Sequence, residues 1–272
     1  MEIPSLRRDS HYQKIEAMCE LFGLTAERNI YVNDYLKEFA THSEEHPHGW
    51  GLAVFRNGSV TLEKEPVKAS KSDYLKHRLS RPIEAKNIFA HIRLATIGSF
   101  EYANCHPFIW DDVSGRTWTL MHNGTLFDTK YIDKYFNLQG GTTDSEGVLL
   151  YIVDEINKRG GAENLTPEER FEIIDDIVVR LSKRNKLNMM LYDGELMYVH
   201  TNNKGTLNEL RGDGFRIFAT SPLDRRHWEP VKMNVLKAYR DGEEMFTGTD
   251  HGNEYVDNIE DLKLILATFS GL

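Results

Sequence analysis

Cys19 is the residue best suited to nucleophilic chemistry, and it directly follows Met18 in the segment MCELFG. Removal of Met18 and everything before it would make Cys19 the amino terminus, so that its own α-amine could act as the base for its thiol. A free α-amine titrates near pH ~8 and a thiol near pH ~8.5, so proton transfer between them is nearly balanced. The alternative is that Cys19 is a small buried hydrophobic residue, which is the usual role of a lone cysteine.

Arg93 and Asp144 carry opposite charges that could hold an α-amino acid. Arg93 lies in HIRLATIGS, where an apolar strand gives way to a loop, and its guanidinium could bind a carboxylate through two hydrogen bonds. Asp144, in GTTDSEG, could bind the ammonium group of the same molecule, although a helix N-cap is an equally good interpretation. Together the two side chains would clamp an α-amino acid head group.

The dipeptide Asn123-Gly124 follows the predicted strand WTLMH and has two interpretations. The Asn side-chain amide and the Gly backbone N–H could form an oxyanion hole. Asn-Gly is also the commonest dipeptide of a hairpin turn. The next segment, TLFDTKYIDKYF, is predicted to be helical rather than a returning strand, which favours the oxyanion hole.

The other histidines and Cys105 are expected to have structural roles. We expect His91 to pack or hydrogen-bond in the core, His106 with Pro107 to fix the geometry of a loop, and Cys105 to be unreactive. A further cluster consists of His42, His46 and His48 with Glu44 and Glu45. Its spacing matches no standard helix-borne metal site, so no bound metal is expected.

Composition limits the class of protein. The 272 residues are 40% hydrophobic and 28% charged, which is typical of a globular chain with one large domain or at most two. The net charge of −9, without a cluster of Lys and Arg, argues against a nucleic-acid surface. No apolar run approaches the roughly 18 residues of a membrane span, and residues 1–17 lack the apolar region of a secretory signal. Two cysteines make no disulfide framework, so a cytoplasmic location is expected.

Alternating strands and helices are predicted to position these residues. The predicted elements are a strand at 19–23, a helix at 33–42, a hairpin at Asn57-Gly58, a helix at 71–79, strands in NIFAHIRLA and WTLMHN, a helix from Asp144, a capped helix from Thr166 to about Lys183, a hairpin at Asp193-Gly194, and strands in RIFATS and VKMNVLKAY. Since no linker or repeat interrupts them, one domain of layered sheets covered by helices is predicted.

The ordered set MCELFG, G-W-G-x-A, H-x-R-x-A-T, N-x-H-P, H-N-G and T-D-S-E resembles the class II glutamine amidotransferases, a branch of the N-terminal nucleophile hydrolases. The forms G-W-G-x-A and ATSPL look most like freestanding bacterial members, and the similarity spans Met18 to about Ala238. The resemblance implies an α+β fold, a four-layer αββα sandwich of two antiparallel sheets covered by helices. No cofactor is expected.

The resemblance also assigns roles to residues. The implied roles are a nucleophile at Cys19, an oxyanion hole at Asn123 and Gly124, contacts with the glutamine head group at Arg93 and Thr96, and an ammonium-binding carboxylate at Asp144. Residues expected to support the site are Trp50, His106 and His122. Relatives with a fused synthase often carry R-W-A-T-H-G where residues 93–98 read R-L-A-T-I-G, so the Trp and His side chains are missing here.

These assignments predict cleavage of the side-chain amide of glutamine or of a γ-glutamyl compound through a thioester on Cys19. Residues 1–18 are expected to be a leader or a start codon assigned too early, and 19–272 to be a single amidotransferase domain. Ammonia is expected to pass to a separate synthase or ligase subunit, and a homo-oligomer remains open. Two alternatives remain: a γ-glutamyl amide hydrolase that acts alone, and a pseudo-enzyme that binds amino acids or a partner if Cys19 stays blocked.

Overall fold

Two antiparallel β-sheets stack face to face, and helices cover their outer faces. The computed structural model describes residues 19–95, 99–258, 260–261 and 263. The strands are β1 (Glu20–Tyr31), β2 (Trp50–Arg56), β3 (Ser59–Glu65), β4 (Glu84–Ile92), β5 (Phe108–Asp111), β6 (Thr117–Thr125), β7 (Lys186–Tyr192), β8 (Met197–His200), β9 (Asn208–Gly212), β10 (Phe215–Ala219), β11 (Glu229–Pro230), β12 (Lys237–Arg240) and β13 (Glu243–Thr247). The α-helices among the described residues are α1 (Asn33–Thr41), α2 (Asp73–Leu79), α3 (Asp144–Asn157) and α4 (Pro167–Leu181).

The strand order places the first strand near the middle of its sheet. The seven-stranded sheet has the order β11-β9-β10-β1-β4-β2-β3, and the six-stranded sheet has the order β13-β12-β8-β7-β6-β5. Each pairing between neighbouring strands is antiparallel. Because β1 pairs on both sides, with β10 and β4, its amino-terminal end is held firmly within the sheet.

Side-chain alternation along the strands divides the core into separate layers. On β4, Ile88 and Ala90 pack with α1 and α2, whereas Phe89 between them faces Met121 and Met190 of the other sheet. Successive residues of a strand point to opposite faces, so one strand serves two cores. A third core joins α3 and α4 to the outer face of the six-stranded sheet. The predicted four-layer αββα sandwich is therefore confirmed.

Several local predictions agree with the structure. The hairpins at Asn57-Gly58 and Asp193-Gly194 connect β2 to β3 and β7 to β8. Thr166 caps α4 through a capping box with Glu169, which satisfies backbone groups that have no partner inside the helix.

Other local predictions were wrong. The segment 125–136 is not an α-helix: its first residue ends β6, and the rest is a loop with one short 3₁₀ turn at Asp133–Tyr135. The amides of Leu126, Phe127 and Asp128 donate to side-chain oxygens of later residues, at 2.7, 2.7 and 2.8 Å, and so are diverted from helical bonding.

Two predicted strands differ in length from the strands in the structure. The strand predicted at 19–23 is only the start of β1, which runs to Tyr31. The strand predicted across 231–239 is reduced to β12, since Asn234 has a φ of 64° that interrupts an extended chain. Within the described residues, no helix is long and apolar enough to cross a membrane.

Candidate active site

Four of the predicted site residues lie where elements begin or end: three at or near strand ends, and one at the start of a helix. Because Glu20 pairs with Ile92, the adjoining residues Cys19 and Arg93 lie at the same end of the neighbouring strands β1 and β4. Asn123 lies near the end of β6, which packs against β1. Asp144 is the first residue of α3, and its carboxylate is close enough to Cys19 to influence the thiol.

The thiol of Cys19 is half-buried and lies against the backbone of Leu94. Its Sγ atom is 3.3 Å from both the Leu94 amide nitrogen, which donates to it, and the Leu94 carbonyl oxygen. Burial raises the pKa of this thiol to about 11, against the opposing effects of the Leu94 amide and the Arg93 charge. At neutral pH the thiol is therefore protonated, and attack on a carbonyl requires a base.

Arg93 is buried, with 2% of its surface exposed. Its Nη1 atom donates to the Ser99 carbonyl at 2.8 Å, and its backbone amide donates to Gly49 at 2.8 Å. Burial lowers the pKa of the guanidinium, while Cys19 and Asp144 oppose that change. Thr96, the other residue expected to contact the head group, lies outside the described residues.

Asn123 and Gly124 lie inside β6, so the hairpin-turn interpretation is wrong. Asn123 is 1% exposed, and its Oδ1 atom has no hydrogen-bond partner within the described part of the chain. A Cβ atom on Gly124 would lie 2.0 Å from the Lys186 carbonyl oxygen and 2.5 Å from Nε2 of His122. Glycine at this position therefore lets β7 approach β6 closely.

Asp144 is not the N-cap of α3. That position belongs to Thr143, whose hydroxyl accepts from the Glu146 amide at 3.3 Å. The buried carboxylate of Asp144 accepts from the Leu126 amide at 2.7 Å through Oδ2, and its Oδ1 lies 3.3 Å from the Ser145 hydroxyl. The carboxylate of Asp144 therefore lies at the start of α3 without capping the helix.

Of the three residues expected to support the site, Trp50 occupies another layer, whereas the pKa of His106 responds to both Arg93 and His122. Trp50 packs in the core beneath α1 and α2, and its Nε1 donates to Glu65 at 3.0 Å. His106 is buried and stacks on His91 with ring centroids 4.1 Å apart. Burial lowers the pKa of His106 well below its usual value and that of His91 to about 3, so both rings are neutral at physiological pH.

His122, the third supporting residue, contacts α3, which carries Asp144, and β7. Its Nδ1 lies 2.9 Å from the Ser145 hydroxyl, and its Nε2 lies 3.2 Å from the Lys186 carbonyl. Sequence reasoning missed Ser145, Lys186 and Leu94 in this site. Only Ser145 had a usable signal, because it directly follows Asp144 in the segment TDSE.

The remaining polar residues singled out in the sequence have other partners. Cys105 is fully buried, and burial raises the pKa of its thiol. His42 contacts Glu20 at 3.2 Å, His46 contacts the His42 carbonyl at 2.8 Å, and His48 accepts from the Ala95 amide at 2.9 Å. In the described ranges, no group of three His, Cys, Asp or Glu residues could hold a metal ion.

The four-layer sandwich, with a cysteine just before its central strand, has the architecture of the N-terminal nucleophile hydrolases. A solved glutamine phosphoribosylpyrophosphate amidotransferase from B. subtilis matches this fold with a TM-score of 0.63 and 18% identity, over 85% of this chain and 49% of that one. Residues 18–215 match the family model of the class II glutamine amidotransferases. The chain belongs to this family.

Similar proteins occur in archaea and bacteria. An uncharacterised protein of Methanocaldococcus jannaschii is 29% identical over 260 residues, which cover 85% of this chain and 71% of that protein. A Haemophilus influenzae protein, provisionally named a glutamine amidotransferase, is 29% identical over 189 residues. That match covers 68% of this chain and 64% of the relative.

Proposed function

We propose that this protein cleaves the side-chain amide of glutamine, or of a γ-glutamyl compound, through a thioester on Cys19. The observation that carries the proposal is the position of the Cys19 thiol, which lies against the backbone of Leu94, next to Arg93 in the chain, and whose pKa responds to the charges of both Arg93 and Asp144. A nucleophile beside one cation and one anion matches an α-amino acid substrate, because such a substrate brings a carboxylate and an ammonium group to the same place.

The base in this mechanism is the α-amine of Cys19 after residues 1–18 have been removed. Met18 and the rest of that segment lie outside the described residues. The burial that raises the pKa of the thiol to about 11 makes a nearby base necessary, and an amine on the same residue is the shortest proton path. If residues 1–18 remain attached, the nitrogen is an amide and cannot accept the proton.

The reaction then proceeds in two stages. The amine takes the thiol proton while sulfur attacks the amide carbon, and the carbonyl oxygen becomes an oxyanion beside the Asn123 side-chain amide and the Gly124 N–H. Collapse of this tetrahedral intermediate breaks the C–N bond, and the protonated α-amine of Cys19 gives its proton to the leaving nitrogen. Ammonia departs, and a γ-glutamyl thioester remains on Cys19. Water then attacks the thioester with the amine again as base, which releases glutamate and restores the thiol.

We further propose that the ammonia is used by a separate synthase or ligase subunit. The support for this proposal is that the forms G-W-G-x-A and ATSPL resemble those of freestanding members of the family. The Bacillus enzyme of known structure is about twice as long as the part that matches this chain, so its activity on phosphoribosylpyrophosphate is not carried over.

The decisive experiment measures ammonia and glutamate release together with covalent labelling. The chain that begins at Cys19 is expected to release equal amounts of both products from glutamine, and to lose this activity on Cys19→Ala. The analogue 6-diazo-5-oxo-norleucine is expected to add one label, at Cys19, as located by peptide mass spectrometry. Cys105→Ala is the matched control, since that thiol is fully buried and donates to the Glu101 carbonyl at 3.5 Å. Labelling at Cys105 with activity surviving Cys19→Ala would disprove the proposal.

A further inference from the structure

A hydrogen bond joins the two elements that carry the proposed catalytic groups. The bond lies between His122, which precedes Asn123 on β6, and Ser145, which follows Asp144 on α3, with 2.9 Å between Nδ1 and Oγ. Both side chains are almost fully buried, at 1% and 4% exposure. The strand and the helix are therefore tied together directly beside the residues that are proposed to act on substrate.

The contact of Nε2 determines which of the two residues, His122 or Ser145, donates the proton in this hydrogen bond. Nε2 of His122 faces the carbonyl oxygen of Lys186 at 3.2 Å, and a carbonyl only accepts, so Nε2 carries the proton. Burial lowers the pKa of His122, which keeps the ring neutral with Nδ1 as an acceptor. Ser145 must then donate its one hydroxyl proton to His122.

This direction has a consequence for Asp144. The Ser145 hydroxyl is also 3.3 Å from Oδ1 of Asp144, but its only proton is already used at His122. Among the described residues, Leu126 donates to Oδ2 at 2.7 Å, so Oδ1 retains capacity to accept from a ligand. The same ring also joins β6 to β7 through the Lys186 carbonyl, and its Nε2 lies 2.5 Å from the position that a Cβ atom on Gly124 would take.

We infer that Ser145 is a positioning residue that acts through His122, orienting β6 for the oxyanion while leaving Oδ1 of Asp144 available for the substrate ammonium. This inference rests on the proposed function for its catalytic consequence. Its structural part, the tautomer of His122 and the direction of the Ser145 bond, does not depend on activity.

The catalytic test compares Ser145→Ala with two reference variants. Loss of the bond is expected to lower kcat by about tenfold to a hundredfold, because the oxyanion donors are less well positioned, with a smaller change in KM. Ser145→Thr keeps the hydroxyl and is expected to recover most of the rate. Ser182→Ala is the matched control, since Ser182 is also buried and lies 3.5 Å from a histidine ring at the end of α4, and its kcat is expected to equal that of the unchanged protein.

A double-mutant comparison separates positioning from simple loss of stability. Asn123→Ala alone is expected to lower kcat by about 10²–10³. If Ser145 acts through the oxyanion strand, adding Ser145→Ala to that variant should cost much less than it does alone. Full additivity, or a kcat of Ser145→Ala equal to that of Ser182→Ala, would overturn the positioning role.

The final measurement is the ¹⁵N NMR spectrum of the His122 ring, which can be recorded whether or not the protein is active. In the unchanged protein, ¹⁵N chemical shifts are expected to show a neutral ring protonated at Nε2 with a hydrogen-bonded Nδ1. Ser145→Ala should move the Nδ1 shift toward that of a free acceptor, whereas Ser182→Ala should leave it in place. A ring protonated at Nδ1 would refute the inference even in an active enzyme. An inactive protein with the expected spectrum would instead place the failure in the proposed function.

Discussion

At the residue scale, the chemistry of Cys19 depends on what its own nitrogen is. A thiol with a pKa of about 11 is protonated at neutral pH, and its thiolate fraction grows about tenfold per pH unit until that value is reached. A neighbouring free amine would supply a base near neutrality. The same sulfur atom is therefore expected to react differently in the two forms of the chain.

We predict that the pH dependence of alkylation distinguishes these forms. In a chain that keeps residues 1–18, labelling of Cys19 by iodoacetamide should keep rising up to about pH 11. In a chain that begins at Cys19, labelling should already be rapid near pH ~8, where about half of the α-amine is neutral. Quantitative mass spectrometry across a pH series measures both, with buried Cys105 as the internal reference. Superimposable profiles would show that the amine does not assist the thiol.

Arg93 and Asp144 are the residues expected to determine which substrates are accepted. We predict that Arg93→Lys raises KM clearly, because an ammonium keeps the charge but loses the two-pronged geometry. N-acetyl-glutamine, which lacks the ammonium, should be a poor substrate of the unchanged protein. Asp144→Asn should discriminate much less between glutamine and its N-acetyl form. Steady-state kinetics on both substrates provide the measurement, and equal turnover of the two by the unchanged protein would rule out the clamp.

At the element scale, features that depend on neighbouring residues in the sequence were predictable. Features that depend on hydrogen bonds between distant residues were not. The hairpin turns, the capping box of α4 and the start of α3 all follow from local sequence. The loop after β6 was predicted as a helix, because nothing local reveals that Asp144 and Asn185 capture its amides. The roles of Leu94 and Lys186 were equally hidden, since each contributes backbone atoms and not a side chain.

The close approach of β6 and β7 gives a prediction about Gly124. A methyl group there would meet the Lys186 carbonyl and the His122 ring, so Gly124→Ala should cost about 1–3 kcal/mol of unfolding free energy and most of the activity. Gly140→Ala is the matched control, because a Cβ atom there meets only an ordinary contact at 3.6 Å. Urea unfolding of both variants measures the difference. Equal stability of the two would mean that β7 can move away without cost.

At the scale of the whole molecule, neutral histidines are distributed through both sheets. Burial lowers the pKa values of His91 and His200 to about 3 and lowers those of His106 and His122. In the unfolded chain the same rings titrate near pH ~6.5. The four-layer order could be predicted from the family pattern, but this distribution could not, because burial of each ring depends on which sheet face its strand presents or, for His106, on how the segment before β5 packs.

The sign of the resulting pH dependence follows from proton counting. Below pH ~6.5 the histidines of the unfolded chain are protonated, whereas the buried rings of the folded chain stay neutral down to about pH 3. The free energy of unfolding therefore decreases as the pH falls through this range. Each buried ring contributes up to about 1.4 kcal/mol per pH unit. We therefore predict a steep loss of stability between pH 6.5 and pH 4.5, measured by urea unfolding at each pH. His200→Gln should make that dependence shallower, because it removes one buried ring. His227→Gln removes a histidine that is 86% exposed, and the same slope in both variants would show that burial of His200 is not the cause.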